Sequence, residues 1–405
     1  MKKKLLGITA AVSVAGGALT LNYWDSIQRM YFVGTLFTGE EQYQNFARVK
    51  ELFPVSTMEA PEQPKTFPTG KKLSLPESFQ YDNQTIDTAQ FLEESDTGAL
   101  LILQDGKIRY EDYSLSGGKN VQWLSMSVAK SVTSLALGIA IDEGHIKSIE
   151  QPVTEYLPLL KGSAYDGVRI KDILQMSSGA AWNEDYSNPD SEVLKMGRLM
   201  AAGGSLDEFI AEMKPDREPG TFNQYNSADT QVLGALLAKT TGQSLNDYAA
   251  KNIWQPLGME HPGYWIIDDH GRAMAFGGLN ATARDYAKIG ELYRHNGNWN
   301  GQQIVSSQWV TDSTRADAPH LLPGDNPLSD YSLGYGYQWW LMDGDEGEYS
   351  AIGVYNQFIY VNPSRNLTIV KLSANSDYGT DDTEATAKEL ATIELFRAIG
   401  QNLTK

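Results

Sequence analysis

Trp123-Leu124-Ser125-Met126-Ser127-Val128-Ala129-Lys130, running on through Ser131 to Glu143, is the stretch around which the rest of the chain is read. From Ser127 onward, Val128, Val132, Leu135 and Ile139 recur at helical spacing, so the segment predicts an apolar helix with Ser127 in its first turn. Lys130 follows three residues later on the same face, where ammonium and hydroxyl can meet. A lysine packed into an apolar helix start gives up its proton unusually easily. Neutral, it can take the proton of Ser127 and make that serine a nucleophile. The spacing alone is weak, because a chain of this size shows about one or two such pairs by chance. Ser116-Gly-Gly-Lys119 is one of them, but its Gly-Gly pair predicts a turn that holds no common face.

Composition narrows the chemistry. The chain has 405 residues with 41% hydrophobic content, enough to bury a substantial core. A formal charge of -18 argues against nucleic acid as a partner. No cysteine is present, which removes disulfides, thiolate metal sites and cysteine nucleophiles together. His145, His261, His270, His295 and His320 show no metal-ligand pairing, so neither a metal nor a cofactor is expected. Lys2-Lys3-Lys4 precedes an apolar run from Leu5 to Leu21, the pattern of an export signal. Uncut, the run is just long enough to anchor in a membrane, with the remainder exported to the periplasm. The reading of residues 1–24 stays open between a cleaved signal peptide and an anchor.

The order of elements predicts a mixed α/β (α+β) fold. Residues 25–80 read as an aromatic and proline-rich leader wrapping the main domain, which covers 81–405. Thr97–Gln104 and Lys107–Tyr113 read as a hairpin turning at Asp105-Gly106. From about 149 to 274 the chain reads as mostly helical, with a long loop from Ser177 to Pro189; loops of that length in compact domains tend to be functional. Ala283–His295 reads as a further helix. Tyr335–Met342, Glu348–Gly353, Gln357–Val361 and Leu367–Leu372 read as a strand meander, and 382–399 as one closing helix. Strands at both ends with helices between predict one antiparallel sheet assembled from the two chain ends, flanked by helices, with the helical middle inserted beside it.

Two more stretches carry candidate chemistry. Phe222-Asn223-Gln224-Tyr225-Asn226-Ser227 places a tyrosine just before a helix, where a phenol can act as acid or base if a cation lowers its pKa. By itself this reads more readily as an aromatic lid at a helix start. In Ala351-Ile352-Gly353-Val354-Tyr355-Asn356-Gln357, a glycine on a strand permits close backbone approach, and the amide after it can serve an oxyanion. An ordinary strand beside a turn is the plainer reading.

The order Ser127-x-x-Lys130, Tyr225-x-Ser227 and a glycine strand near the C-terminus resembles the serine β-lactamase and penicillin-binding-protein superfamily. Leu174-Gln-Met-Ser-Ser-Gly179-Ala-Ala-Trp182-Asn-Glu-Asp185-Tyr186, the Tyr225-to-Gly234 segment and Gly277-Gly278-Leu-x-Ala-Thr-Ala-Arg284-Asp285 are similar to the 6-aminohexanoate-dimer hydrolase branch. That branch is close in fold to class C β-lactamases and family VIII carboxylesterases. The resemblance implies Ser127 as nucleophile, Lys130 as its base, Tyr225 as proton shuttle, and the amides of Ser127 and Val354 as the oxyanion hole. It implies substrate-binding roles for Trp182, Asp185, Tyr186, Ser227, Gly353 and Asn356. Two departures bear on substrate. Ala351-Ile352-Gly353 replaces Lys-Thr-Gly, removing the cation and hydroxyl that grip a β-lactam carboxylate, and Ser227 replaces an asparagine. Asn356 stands where many relatives have glycine. The expectation is an exported serine hydrolase of small linear amides or esters; the alternatives are a β-lactamase and a non-catalytic binder of cell-wall peptides. An α/β-hydrolase would need Gly-x-Ser-x-Gly, which the chain lacks.

Overall fold

Two antiparallel sheets carry the architecture in the computed structural model, which describes residues 28–29, 31, 36, 42–51, 53–381 and 383–403. In chain order the strands are β1 (Val55–Met58), β2 (Ser78–Tyr81), β3 (Gln84–Asp87), β4 (Thr97–Gln104), β5 (Lys107–Tyr113) and β6 (Trp123–Leu124). They continue as β7 (Gly263–Ile266), β8 (Leu279–Ala281), β9 (Asn298–Trp299), β10 (Gln302–Gln303), β11 (Gly334–Tyr335) and β12 (Trp340–Leu341). The last three are β13 (Tyr349–Gly353), β14 (Gln357–Asn362) and β15 (Leu367–Ser373). The large sheet runs β11-β12-β13-β14-β15-β4-β5, so the two ends of the chain meet where β15 pairs with β4. A smaller sheet runs β1-β7-β8-β6.

The sequence of the central strands follows from this placement. All of β15 and seven of the eight residues of β4 are buried, because the sheet is covered on both faces. Alternate residues serve opposite cores: Leu101, Leu103, Ile359 and Val370 face one cluster, while Leu100, Ile102, Phe358 and Ile369 face the other. Asp105 and Gly106 both take positive φ, 52° and 69°, as the tight turn from β4 to β5 requires.

Four helices position the site: α1 (Val128–Asp142), α2 (Ser227–Thr241), α3 (Ala283–Arg294) and α4 (Glu389–Asn402). Every residue of α1 from Val128 to Ala140 is buried, so the segment carries no solvent-facing stripe, and its polar residues Lys130, Ser131, Thr133 and Ser134 are each hydrogen-bonded inside. It packs against α2 and β13, while α3 lies across β14 and β15. Asn226 caps α2 by accepting from the amides of Ala228 and Asp229, and Gly242, at φ 69°, ends it in the left-handed region.

Three elements differ from the sequence reading. Tyr335–Met342 is no continuous strand: the Gly336 amide bonds the Trp339 carbonyl, and Gln338, at φ 65°, turns its buried side chain towards Leu174 and Thr230. The closing helix breaks at Lys388, which takes φ 57° and separates Glu384–Ala387 from α4. The helix begun at Leu245 passes into a π turn over Ala250–Trp254. The leader is built in: β1 pairs with β7, and Phe46 is fully buried. The Leu5–Leu21 run lies outside the described residues, among which no helix is long and apolar enough to cross a membrane.

Candidate active site

Met126 makes the turn that creates the site. It takes φ 48°, a left-handed conformation uncommon for a residue with a side chain, and swings the chain from β6 directly into α1. Ser127 is therefore the N-cap of α1 rather than a residue of its first turn. Its side chain makes no capping bond, which leaves the hydroxyl available to its neighbours. Lys130, 1% exposed, donates from Nζ to Ser127 Oγ at 2.8 Å, to Ser227 Oγ at 2.9 Å and to the Phe276 carbonyl at 3.0 Å. Burial pushes the Lys130 ammonium down to about 8, while the negative charge of Glu184 acts in the opposite direction.

Glu184, the other acid of the Trp182–Tyr186 loop and not among the assigned binding residues, is the one that turns inward. Its carboxylate accepts from Ser227 Oγ at 2.6 Å, from the Ser227 amide at 3.1 Å, from the Tyr186 hydroxyl at 3.2 Å and from the Trp182 indole N–H. Ser227 is thus a relay: its hydroxyl accepts from Lys130 and donates to Glu184. Adjacent acids in one loop carry no mark in the sequence of which one turns inward. Here Asp185 instead accepts from the amide and hydroxyl of Ser187, whose hydrogen bonds hold its carboxyl below the usual range.

Tyr225 is buried, its ring stacked on Trp340 at 5.1 Å and edged by Tyr331 and Tyr335. Lys130 Nζ lies 4.8 Å from the Tyr225 ring centroid. No lowering of this phenol by a cation results: burial, then the negative potentials of Tyr335 and Glu184, push it well above its ordinary value, outweighing a hydrogen bond with Ser127.

Opposite Ser127, β13 ends at Gly353, where a Cβ would lie 2.6 Å from the Ser125 carbonyl and 3.0 Å from the Ser127 amide. Only glycine allows that approach. Val354 follows and lines the cleft. Tyr355 and Asn356, at φ 66° and 67°, complete the turn into β14.

The cleft holds about 210 Å³ and opens on Ser127 and Tyr225. Glu184, Asp185 and Tyr186 line one part, Tyr331, Leu333, Trp340 and Ile352 another, and Tyr378, Asp381, Glu384 and Glu389 a third. Among the described residues, no lysine, arginine or histidine lines it. Of the residues predicted to bind substrate, Asp185 and Tyr186 border the cleft, whereas Trp182, Ser227, Gly353 and Asn356 are not among its described lining residues. Trp182 packs its ring edge-on to Phe209 and supports Glu184 from beneath. Asn356 donates to the Ala387 carbonyl at 2.7 Å, tying the turn to the segment that carries Glu384. Among the described residues, no group of acidic or histidine side chains is arranged to hold a metal.

Comparison with known proteins gives a consistent assignment. The beta-lactamase family profile matches residues 88–393. A 6-aminohexanoate-dimer hydrolase of Paenarthrobacter ureafaciens is 32% identical over 362 residues, covering 85% of this chain and 89% of that protein. A beta-lactamase of Yersinia enterocolitica is 27% identical over 170 residues, covering 40% of this chain and 41% of that one. In fold, a Bacillus anthracis structure provisionally described as a 6-aminohexanoate-dimer hydrolase superimposes with a TM-score of 0.81 at 22% identity, over 91% of this chain and 96% of the other. EstCE1, a hydrolase with promiscuous acyltransferase activity, gives a TM-score of 0.60 at 16% identity, over 77% and 96%. The chain belongs to the beta-lactamase family and is a serine hydrolase of that superfamily.

Proposed function

We propose that this hydrolase cleaves amide or ester bonds of small linear substrates through an acyl-enzyme on Ser127. The observation that carries the reading is the buried Lys130 amine 2.8 Å from Ser127 Oγ, its proton affinity lowered by burial. Neutral Lys130 accepts the hydroxyl proton as Ser127 Oγ attacks the carbonyl carbon. The carbonyl π pair moves onto oxygen, facing the amides of Ser127 and Val354. Tyr225, whose raised proton affinity keeps it a neutral phenol, gives its proton to the leaving nitrogen or oxygen as the scissile bond breaks. The Lys130 ammonium restores that proton. Water then attacks the acyl ester with the same groups in reverse order, releasing the acid and Ser127.

Two observations support the substrate class. The similar Paenarthrobacter protein is named for hydrolysis of a linear amide dimer. The cleft presents Glu184, Asp185, Asp381, Glu384 and Glu389 with no cation among its described lining residues, which disfavours the carboxylate of a β-lactam. Losing one charge-assisted hydrogen bond costs about 1.5–3 kcal/mol, on the order of ten- to a hundredfold. Export to the periplasm, with residues 1–24 as signal or anchor, is part of the same proposal. It rests on the basic and apolar N-terminal pattern, and fractionation of the full-length chain tests it.

The decisive experiment is fluorophosphonate labelling with the modified peptide mapped, run beside a kinetic panel. The panel contains nitrocefin, p-nitrophenyl butyrate, a linear aminohexanoate dimer, and the p-nitroanilides of 6-aminohexanoate, hexanoate and adipate. Label on Ser127 and specificity constants ordered cationic, neutral, then anionic are expected. A nitrocefin constant above every linear substrate makes the protein a β-lactamase with an altered third motif. Labelling without any turnover makes it a binder of cell-wall peptides.

A further inference from the structure

Gln357 opens β14, three residues beyond the amide of Val354, and its side chain is fully buried. Its carboxamide uses all of its hydrogen-bonding capacity. Nε2 donates to the carbonyls of Val354 at 3.2 Å, Tyr355 at 3.1 Å and Ser373. Oε1 accepts from the indole N–H of Trp123 and the amide of Ser373, each at 3.1 Å. One side chain therefore joins the turn that carries Val354, the end of β15, and β6, the strand that delivers Ser127.

We propose that Gln357 is a positioning residue for the oxyanion site, holding the Val354 amide in register with the Ser127 amide; this rests on the acyl-enzyme reading above. The need for such a clamp is visible in the backbone. Tyr355 and Asn356 both occupy the left-handed region, which side-chain-bearing residues adopt at a cost. The Val354 and Tyr355 carbonyls face inward, and a buried carbonyl must be paired. One N–H of Gln357 points at Ser373 and the other is shared between the two turn carbonyls, of which Tyr355 also accepts from the Asn375 amide. Without that shared donor the Val354 carbonyl loses its side-chain partner, and the turn is free to rotate that peptide and carry Val354 out of place. Phe46 of the leader braces the same joint from behind. Its ring stacks on Trp123 at 5.4 Å and meets Tyr355 edge-on at 5.5 Å, bridging the two halves that Gln357 ties.

The test compares Gln357→Met and Trp123→Phe with the wild-type enzyme on p-nitrophenyl butyrate. Measured are kcat, KM, the affinity of a phenylboronic acid that mimics the tetrahedral intermediate, and the melting temperature. Removing one oxyanion donor lowers kcat by about 10²–10³, so displacing one predicts a fall in Gln357→Met on the order of a hundredfold. KM should move by less than about threefold, and boronate affinity should fall in step with kcat. Trp123→Phe loses the N–H bond together with part of the buried indole, and should lose roughly three- to tenfold in kcat with KM little changed. A folded Gln357→Met enzyme with unchanged kcat and boronate affinity, or with only KM altered, overturns the proposal. If that variant does not accumulate folded, an unchanged kcat in Trp123→Phe overturns it. Failure of the acyl-enzyme reading shows separately, as absence of fluorophosphonate label on Ser127 in the wild-type enzyme together with retained turnover in Ser127→Ala.

Discussion

Lys130 meets three acceptors while buried itself, and its proton decides whether Ser127 can react. Its folded pKa of about 8 predicts that kcat/KM falls as pH drops through that value, because the protonated amine cannot accept the serine proton. Lys130→Arg keeps the charge but stays protonated at working pH, so it should be nearly as damaging as Lys130→Ala. Substantial turnover by the arginine variant would reduce the lysine to an electrostatic partner. Ser127→Ala should lose at least about a thousandfold. Glu184 gives a prediction of opposite sign. Its carboxylate raises the proton affinity of Lys130, so Glu184→Gln should move the acid limb of the pH–rate profile to lower pH. A limb that stays fixed or moves upward would show that the carboxylate does not act on the lysine.

Packing of whole elements sets where those side chains stand. Gly138 lies on α1 against Trp309 of the short helix Ser307–Ser313, and a Cβ there would sit 2.4–2.6 Å from the indole. Alanine would gain about 0.5–1 kcal/mol of helix preference but meet about 1–3 kcal/mol of overpacking against a rigid ring. Gly138→Ala should therefore be net destabilising, read as a lower urea midpoint at unchanged m-value. A higher midpoint would mean that Trp309 yields freely. The helix and hairpin patterns were legible because their periodicity is local: α1, α2, α3 and the β4–β5 turn were all readable from spacing and turn residues. The breaks at Gln338 and Lys388 were not. Each depends on what the side chain reaches, Leu174 and Thr230 for Gln338, the Glu94 carbonyl and Asp377 for Lys388. All of those partners but Asp377 lie more than a hundred positions away in sequence.

Across the whole molecule, the leader enters the same core as the catalytic elements. Phe46 is fully buried between Trp123 and Tyr355, and Gln42 donates to the Ala374 carbonyl at 2.7 Å. Truncating a buried phenylalanine costs about 3–5 kcal/mol, so Phe46→Ala should lose stability on that scale by urea denaturation in the full-length protein. A loss below about 1 kcal/mol would show that the leader packs only loosely. The meeting of the chain ends at β4 and β15 has the same long-range character. It brings the turn at Val354 beside a helix start more than two hundred positions earlier in the chain.

By itself the sequence determined the chemistry-bearing residue types and their order: a serine one helical turn before a lysine, a tyrosine at a second helix start, and a glycine strand near the end. Those features are local, because a helix places residues three apart on one face and glycine is the residue that allows close backbone approach. Which loop acid turned inward, how far Tyr225 was desolvated and which predicted binding residues border the cleft were decided by the tertiary structure. Proton affinity depends on burial and on charges brought near by folding, and neither is encoded at the position of the titrating residue. Glu184 reaches Ser227 across 43 positions and Gln357 reaches Trp123 across 234, contacts that exist only once both sheets and α1 have packed.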